Sequence, residues 1–488
     1  MKRKQYFSTI LTCTMLFVLP IIIANVYYID DNYRSITGDD AWHIDGRPLS
    51  DLLMYIVNGN THLTDTSPLP TFISIILLSV SSYSFSKRYI GFNHGVIPFT
   101  LIPLCIFASP FFIENVVYKF DVLPMCASIS LSYLFINVSI ANRFLKLLCL
   151  SVIVTCILSA YQASINFLLS LVLCEFLSRY NNNVKNLFSF IIETMASLCI
   201  GAFIYLKIIL PIFLITPESS DHPMLEAQNI IGVAYSNSLY YLNLIWISIP
   251  ESWRYIYLLL FAMSIICAIC IAIIKKENGI TGLILCLIAG LSPIISVLCS
   301  FISLSTLSSP LPFPRVMIGF SGTCLFIAMV IFEFTKSFRA KVFYILAIPV
   351  WFSFGMYYSY GNALRASSDI TDAIFNNIKD DVFSLTKKED SVILFHGATP
   401  KSKVLLNSIK NYPIIGGLVP DYLTNWTLPY TYMSRIGISY VKDYSVNADD
   451  IINNNNFCSN SDRIERYNYN VLFFDDISII DFSKELCR

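Results

Sequence analysis

The sequence predicts an all-α polytopic membrane protein of about eleven transmembrane helices, followed by a small C-terminal α/β domain. Three observations predict it. Of the 488 residues, 55% are hydrophobic and only 14% charged, whereas an ordinary soluble domain carries roughly 25% charged residues. The 33 basic and 33 acidic residues cancel, yet residues 1–360 hold 37 of these charges and the last 128 residues hold 29. Apolar stretches of the length needed to cross a bilayer, about 20 residues, recur up to residue 359. This composition excludes a disordered chain, a collagen-like repeat and a basic nucleic-acid-binding surface, so no nucleic-acid partner is expected.

Taken in order, spans are predicted over 7–29, 69–86, 96–113, 122–141, 145–161, 163–178, 187–208, 253–274, 280–304, 316–334 and 341–359. The fifth and sixth form one apolar run from Leu145 to Leu177. That run is long for a single helix and is split into a tight hairpin around Ala160–Ser164, with a long tilted helix or a re-entrant loop as the alternatives. The basic-then-apolar N-terminus reads as a retained span, because no A-x-A-like cleavage site closes it. Between the first two spans, apolar residues at 49, 52, 53, 56 and 57 mark a short amphipathic helix suited to the interface. The segment from Thr216 to about Ser252 reads as a long outer loop carrying Glu218, Asp221, His222 and Glu226.

Beyond the last span, apolar residues at 370, 374, 375, 378, 382 and 385 have helical spacing, and Lys401 to Lys410 reads as a second helix. Ser391–Phe395, Asn470–Phe474 and Arg435–Val441 read as strands, and Asn453–Asn456 as a polar loop. Residues 1–360 are therefore expected to form the membrane domain, with its chemistry in a first outer loop at 30–70, and residues 361–488 an external α/β domain.

Lys and Arg are retained on the cytoplasmic side of a membrane. With Lys2, Arg3 and Lys4 inside, 14 of the 20 basic residues before position 361 fall in inner segments, while 13 of the 17 acidic ones fall in outer segments. The expected topology has a cytoplasmic N-terminus, an odd number of spans and an external C-terminal domain. Twelve of the 14 cysteines lie in predicted spans, which leaves Cys458 and Cys487 to form one disulfide in an oxidising compartment.

Polar chemistry concentrates in the outer segments. Asp30 and Asp31 stand where the first span ends, surrounded by Tyr27, Tyr28, Tyr33, Arg34, Trp42, His43 and Arg47, with Asp40 nearby. Aromatic rings stack on sugar faces, arginines bind phosphate through paired charge-assisted hydrogen bonds, and a carboxylate can accept a proton from an attacking hydroxyl. The combination suggests sugar–phosphate chemistry. Glu114, Lys119 and Asp121 occupy a second outer loop, Tyr161 and Gln162 the hairpin, and Lys207 and Arg315 the outer ends of later spans. Asp40, Glu114 and Asp121 are candidate acceptor-side or secondary acids. Arg34, Arg47, Lys119, Lys207 and Arg315 are candidate phosphate ligands, and Tyr28, Tyr33, Trp42, His43, Tyr161 and Gln162 candidate sugar contacts. Asp30 and Asp31 could together hold a divalent cation, although spacing places no third ligand. No Walker loop or GxGxxG is present, so neither ATP nor a nicotinamide cofactor is expected.

The string Tyr28-Ile-Asp30-Asp31-x-x-Arg34-x-x-x-Gly38-x-x-x-Trp42-x-x-x-Gly46-Arg47-Pro48 resembles the start of the serotype-converting O-antigen glucosyltransferases, the phage-borne Gtr type II group. Glu114-Asn115 with Tyr118 and Asp121, and Tyr161-Gln162-Ala-Ser164, resemble later blocks of that family. The likeness is specific over about residues 15–170, looser through the remaining spans and uninformative for the tail. It implies a GT-C-like enzyme that takes glucose from undecaprenyl-phosphate-glucose at the periplasmic face and adds it to the lipid-linked O-antigen. It also implies partner proteins of the same gene cluster, carried by a prophage, that make and flip the donor. By the same analogy a carboxylate of the first outer loop, Asp30 or Asp31, is the catalytic base of an inverting displacement. Three other readings fit the sequence less well. A polyprenyl-linked sugar flippase would carry ionisable residues near the midplane between repeated halves. An O-antigen acyltransferase would show a histidine-based site within its spans, and a polymerase a large outer loop in mid-chain.

Overall fold

In hydrocarbon, every backbone N–H and C=O must be bonded within its own segment, so long apolar runs fold as helices. The computed structural model describes residues 2–182, 186–213, 229–338, 341–386, 392–424, 428–437, 451–452, 457–474 and 477–487. The chain begins α1 (Lys2–Ala24), α2 (Asp30–Thr37), α3 (Pro48–Asn58), α4 (Leu69–Tyr89), α5 (Val96–Leu104), α6 (Phe112–Val117) and α7 (Val122–Asn137). It continues through α8 (Arg143–Ala160), α9 (Ser164–Asn181), α10 (Leu187–Ile204), α11 (Leu210–Phe213), α12 (Ile230–Ser248) and α13 (Glu251–Ile274). There follow α14 (Ile280–Cys299), α15 (Ile302–Ser305), α16 (Gly319–Thr335) and the 40-residue α17 (Ala347–Thr386). Among the described residues nine helices are long and apolar enough to cross a membrane, and Val96–Ala108 and Val122–Asn137 are shorter apolar helices. The protein is an all-α polytopic membrane protein with a small strand-containing C-terminal part.

The hairpin expected near Ala160–Ser164 is present between α8 and α9, and the amphipathic helix between the first two spans is α3. Other expectations need correction. Residues 230–248, read as part of an outer loop, form α12. Asn237, Tyr240, Tyr241 and Asn243 interrupt its hydrophobic run and leave it the least apolar of the nine helices long enough to cross; the buried pair Asn237 and Tyr241 is engaged by residues 305–311. Asn237 Nδ2 donates to the carbonyls of Ser305 and Leu307, and Tyr241 Oη accepts from the Leu311 amide. Glu218, Asp221, His222 and Glu226 lie outside the described residues. The first span ends at Ala24, short of the expected residue 29, and Asp30 and Asp31 open a separate helix, α2, instead of closing α1.

Three of the four acids not assigned to outer segments, Glu175, Glu193 and Glu333, are held by basic side chains, as ionisable groups near hydrocarbon must be. Buried Glu175 of α9 is bound by Arg88 (2.5 Å), Arg179 (2.6 Å) and the Tyr89 hydroxyl. Glu193 pairs with Lys146 (2.9 Å) and Glu333 with Lys336 (2.7 Å). The apolar stretch ending in α16 is almost wholly buried and forms the centre of the membrane part.

The chain divides into two compact units. The first comprises Met1–Ile22, Asp40–Thr61 and Thr66–Tyr358, and the second Ile23–Asp39, His62–Asp65 and Ser359–Arg488. In the second, α17 is followed by β1 (Val392–His396), α18 (Lys403–Asn411), α19 (Ile415–Leu418) and α20 (Leu428–Arg435). The short helix α21 (Phe457–Asn460) precedes β2 (Asp462–Glu465), β3 (Asn470–Phe474) and β4 (Ile477–Asp481). The four-stranded sheet has the order β1-β4-β3-β2, with β1 and β4 parallel and the other pairs antiparallel. Ile374, Phe375, Ile378 and Val382 of α17 pack on Ile393, Phe395, Val471 and Ile480 of the sheet. β2 and β4 were not read from the sequence. The strand expected at 435–441 is not formed at its start, where Arg435 ends α20 and residues 436–437 turn; its remainder, like 453–456, lies outside the described residues. Cys458 and Cys487 are joined in a disulfide with their Cα atoms 5.1 Å apart.

Candidate active site

The polar residues of the first outer loop fall into both units, each with its own framework. In the first unit the sequence Trp42-His43-Ile44-Asp45 makes one 3-10 turn, closed by Gly46 at φ 74°. A side chain at that position would be strained, and its Cβ would lie 2.5 Å from Leu210 Cδ1 and 2.8 Å from the Tyr205 hydroxyl. The turn directs the Trp42 indole inward, where Nε1 donates to Asp121 Oδ1 at 2.7 Å. Pro48 then starts α3, as suits its fixed φ and missing N–H.

Arg47 is held by the hairpin. Its Nε donates to Gln162 Oε1 (2.9 Å), and its guanidinium lies 5.2 Å from the centre of the Tyr161 ring. Gln162 Nε2 donates to the Asp45 carbonyl (2.7 Å) and to Tyr205 Oη (3.0 Å), while Tyr205 donates to the Gly46 carbonyl (3.0 Å). Buried Glu114 accepts from the Arg315 amide at 2.6 Å, and the Arg315 guanidinium stands 3.9 Å from its other oxygen. Arg315 also lies over Tyr118 and Phe313, and Asn115 Nδ2 donates to its carbonyl. Tyr161 feels the charges of Arg47, Glu114 and Asp121, so the hairpin and the 114–121 segment share one environment. Within it, Asn115 Oδ1, Tyr161 Oη and Arg315 Nη1 are buried with no hydrogen-bond partner among the described residues. Buried polar atoms are normally satisfied, and orphans mark places where a ligand completes the network.

Asp51 of α3 accepts from the Trp42 amide (3.0 Å) and faces His43 Nδ1 at 3.1 Å. Burial, reinforced by Asp40 and opposed by His43, pushes its carboxyl up to about 6. An acid whose folded pKa lies above its unfolded one, about 3.9, stabilises the fold in its neutral form. That contribution is complete below the unfolded value and is lost as pH rises through the folded one. The melting temperature of the wild type should therefore fall between pH 4 and pH 6.5, and the fall should be smaller in Asp51→Asn; equal slopes in a thermal-shift series would contradict the assignment.

In the second unit, α2 begins directly after Ile29, a β-branched residue at φ 45° and ψ −103°. Such a backbone costs about 1–3 kcal/mol and persists only where its surroundings enforce it. Here the Ile29 amide donates to Tyr422 Oη (3.0 Å), Tyr422 donates to the Tyr27 carbonyl (3.1 Å), and Asn32 Nδ2 donates to the Ile29 carbonyl (3.2 Å). Arg435 Nε donates to Asn32 Oδ1 at 2.9 Å. The kink separates the two aspartates. Asp31 is fully buried and its Oδ2 accepts from the Tyr28 amide at 3.1 Å, whereas Asp30 is exposed. α2 ends at Gly38, φ 70°, where a Cβ would collide with the His62 ring at 2.2 Å.

The remaining sequence-selected residues take separate places. Tyr28 is buried, while exposed Tyr33 donates to Asp39 at 3.2 Å. Arg34 lies half-buried in the last turn of α2. The Asp40 carbonyl accepts from the Trp42 amide, and Lys119 lies between α6 and α7. Lys207 is exposed on the helical turn at Tyr205–Ile209. Sequence reading missed Tyr205, Asp51, Tyr422 and Arg435 as site residues. Tyr205 is one of several aromatics in an apolar helical run, and the last two lie nearly 400 positions from the motif they support, so no local signal marked them. No three His, Cys, Asp or Glu side chains group to hold a metal among the described residues.

Comparison with known proteins adds three findings. The family model described as "Glucosyl transferase GtrII" matches residues 19–360. A Salmonella phage P22 protein, described as "Uncharacterized 55.3 kDa protein in gtrB 5'region", is 28% identical over 450 residues, covering 88% of this chain and 90% of its own. No solved structure matches the chain.

Proposed function

The chain belongs to the glucosyl transferase GtrII family, and from that premise we propose that it moves glucose from a polyprenyl-phosphate-glucose to a sugar of the lipid-linked O-antigen. The donor is assigned as undecaprenyl-phosphate-glucose, and the reaction is placed on the periplasmic face of the inner membrane. The observation that carries the reading is the set of orphaned buried atoms in the first unit. Arg315 Nη1 can only donate, Asn115 Oδ1 can only accept, and Tyr161 Oη can do either. A phosphate ester of a sugar offers both acceptor oxygens and donor hydroxyls, and so suits all three.

In this reading the first unit binds the donor: Arg315 and Arg47 take its phosphate, with Lys119 as a further cation and Tyr161, Gln162 and Trp42 toward the sugar. Asp30 is the base, since it is exposed at the start of a helix while Asp31 is buried. Asp31 is then a positioning residue that holds the turn. The acceptor hydroxyl attacks the anomeric carbon, the bond from that carbon to the phosphate oxygen breaks, and its electron pair leaves with the lipid phosphate. The hydroxyl proton passes to Asp30. One displacement inverts the anomeric centre, so a β-linked donor gives an α-linked product. A long polyprenyl chain stays in the bilayer throughout, which is a reason for the chemistry to reside in a membrane protein.

The distribution of bases supports a cytoplasmic N-terminus and a periplasmic C-terminal domain. The phage relative lies in the region 5' of gtrB, which fits a gene cluster whose other products make and flip the donor. Mass spectrometry of lipopolysaccharide from cells with and without the gene tests the activity. A gain of one hexose per repeat is expected, and an unchanged repeat or an added acetyl group would overturn the reading.

A further inference from the structure

The second unit contains a polar cavity of about 220 Å³ that the proposed chemistry does not use. One wall is the segment leaving α1, where Asn25 at φ 48° turns the chain and Tyr27 faces the cavity. The opposite wall is a single stripe of α17: Arg365, Ser368, Asp369 and Asp372 follow one another at i, i+3, i+4 and i+7. Arg435 of α20 closes the end. Its guanidinium sits between the Tyr27 ring (5.1 Å) and the Tyr432 ring (4.5 Å), 3.7 Å from Asp372 Oδ1. Asp372 also accepts from Tyr432 Oη at 2.6 Å, and Arg365 pairs with Asp369 at 3.1 Å.

The charge balance identifies the class of ligand. Two guanidinium groups and two carboxylates line the cavity as two Arg–Asp pairs, so a phosphate would meet as much repulsion as attraction. A neutral polyol meets neither, and its hydroxyls can donate to carboxylates while accepting from arginines, the stronger kind of hydrogen bond. Tyr27 adds an aromatic surface of the kind on which sugar rings rest. The volume is below the roughly 300–1,000 Å³ of a drug-sized site and suits one sugar ring. Tyr27 lies three residues before Asp30, and Arg435, which closes the cavity, also holds Asn32. We infer that this cavity binds one neutral sugar ring of the acceptor glycan and so fixes which hydroxyl is offered for transfer. The inference rests on the proposed transfer reaction and extends it to the acceptor.

The test uses the full-length protein in nanodiscs and, as probe, the unglucosylated O-antigen oligosaccharide released from lipopolysaccharide by mild acid. Saturation-transfer NMR and titration are run on the wild type, on Ser368→Trp, which fills the cavity, and on Arg365→Gln and Asp369→Asn, which alter exposed side chains with little risk to folding. The expected result is saturable binding by the wild type, weakened at least tenfold in each variant, with the acceptor KM raised by a similar factor and the donor KM unchanged. Wild-type binding and acceptor KM in all three variants, or no oligosaccharide binding by the wild type, would overturn the inference. The two proposals fail separately. Variant-sensitive oligosaccharide binding together with glucose drawn from a nucleotide sugar would remove the lipid donor and leave the cavity assignment standing. Transfer from the lipid donor with unaltered acceptor KM in the variants would do the reverse.

Discussion

Asp30→Asn is expected to lower the turnover number of glucosyl transfer by roughly 10²- to 10⁴-fold, the range supplied by a general base, without changing the melting temperature. Asp30 is exposed in the first turn of α2 and makes no hydrogen bond or ion pair among the described residues, so the amide disturbs no packing. Asp31→Ala is expected to behave differently. It removes the acceptor of the buried Tyr28 amide, a loss of about 1–3 kcal/mol for an unsatisfied buried donor. Activity and thermal stability should then fall together. Kinetics and melting curves of the two purified variants separate the roles. An Asp30→Asn enzyme with wild-type turnover would remove Asp30 as base, and a large loss of stability in that variant would show a structural role instead.

Arg315→Gln is expected to reduce kcat/KM for the lipid donor by about 10- to 150-fold, because a hydrogen bond to a charged group contributes about 1.5–3 kcal/mol. The variant is informative because Glu114 keeps its bond from the Arg315 main-chain amide whatever the side chain. Glu114 is therefore not stranded by the substitution, and loss of activity reports the missing guanidinium. Arg315→Lys should recover only part of the loss, since an ammonium cannot present the paired N–H groups of the fork. Acceptor KM should stay within about twofold of the wild type. Donor kinetics within twofold of the wild type in Arg315→Gln would exclude Arg315 as a phosphate ligand.

Much of the membrane part was legible because its code is composition: apolar runs mark helices. α12 escaped for a physical reason, since Asn237, Tyr240, Tyr241 and Asn243 leave it the least apolar of the nine helices long enough to cross a membrane. The helical stripe at 370–385 and strands β1 and β3 were readable from periodicity, whereas β2, with the sequence Asp-Arg-Ile-Glu, carries no strand-like alternation of apolar residues.

The candidate site was legible as a local motif and illegible as a framework. Trp42, Arg47, Glu114, Tyr161 and Gln162 were all selected from sequence, and the structure joins Arg47 to Gln162, and Trp42 to Asp121. The adjacent aspartates could not be ranked by sequence, because their difference arises at Ile29, whose positive φ is enforced by Tyr422 from far along the chain. Arg435 was read as the start of a strand. Its engagement with Asn32, Tyr27 and Tyr432 depends on the fold of the second unit, which no short window reveals.

The most direct test reconstitutes the purified protein in liposomes with unglucosylated O-antigen acceptor and either undecaprenyl-phosphate-glucose or UDP-glucose as the only glucose source. The account predicts glucose on the acceptor, with inverted anomeric configuration by NMR and an equal amount of undecaprenyl phosphate released, from the lipid donor alone. Transfer from UDP-glucose with the lipid donor left intact would contradict it.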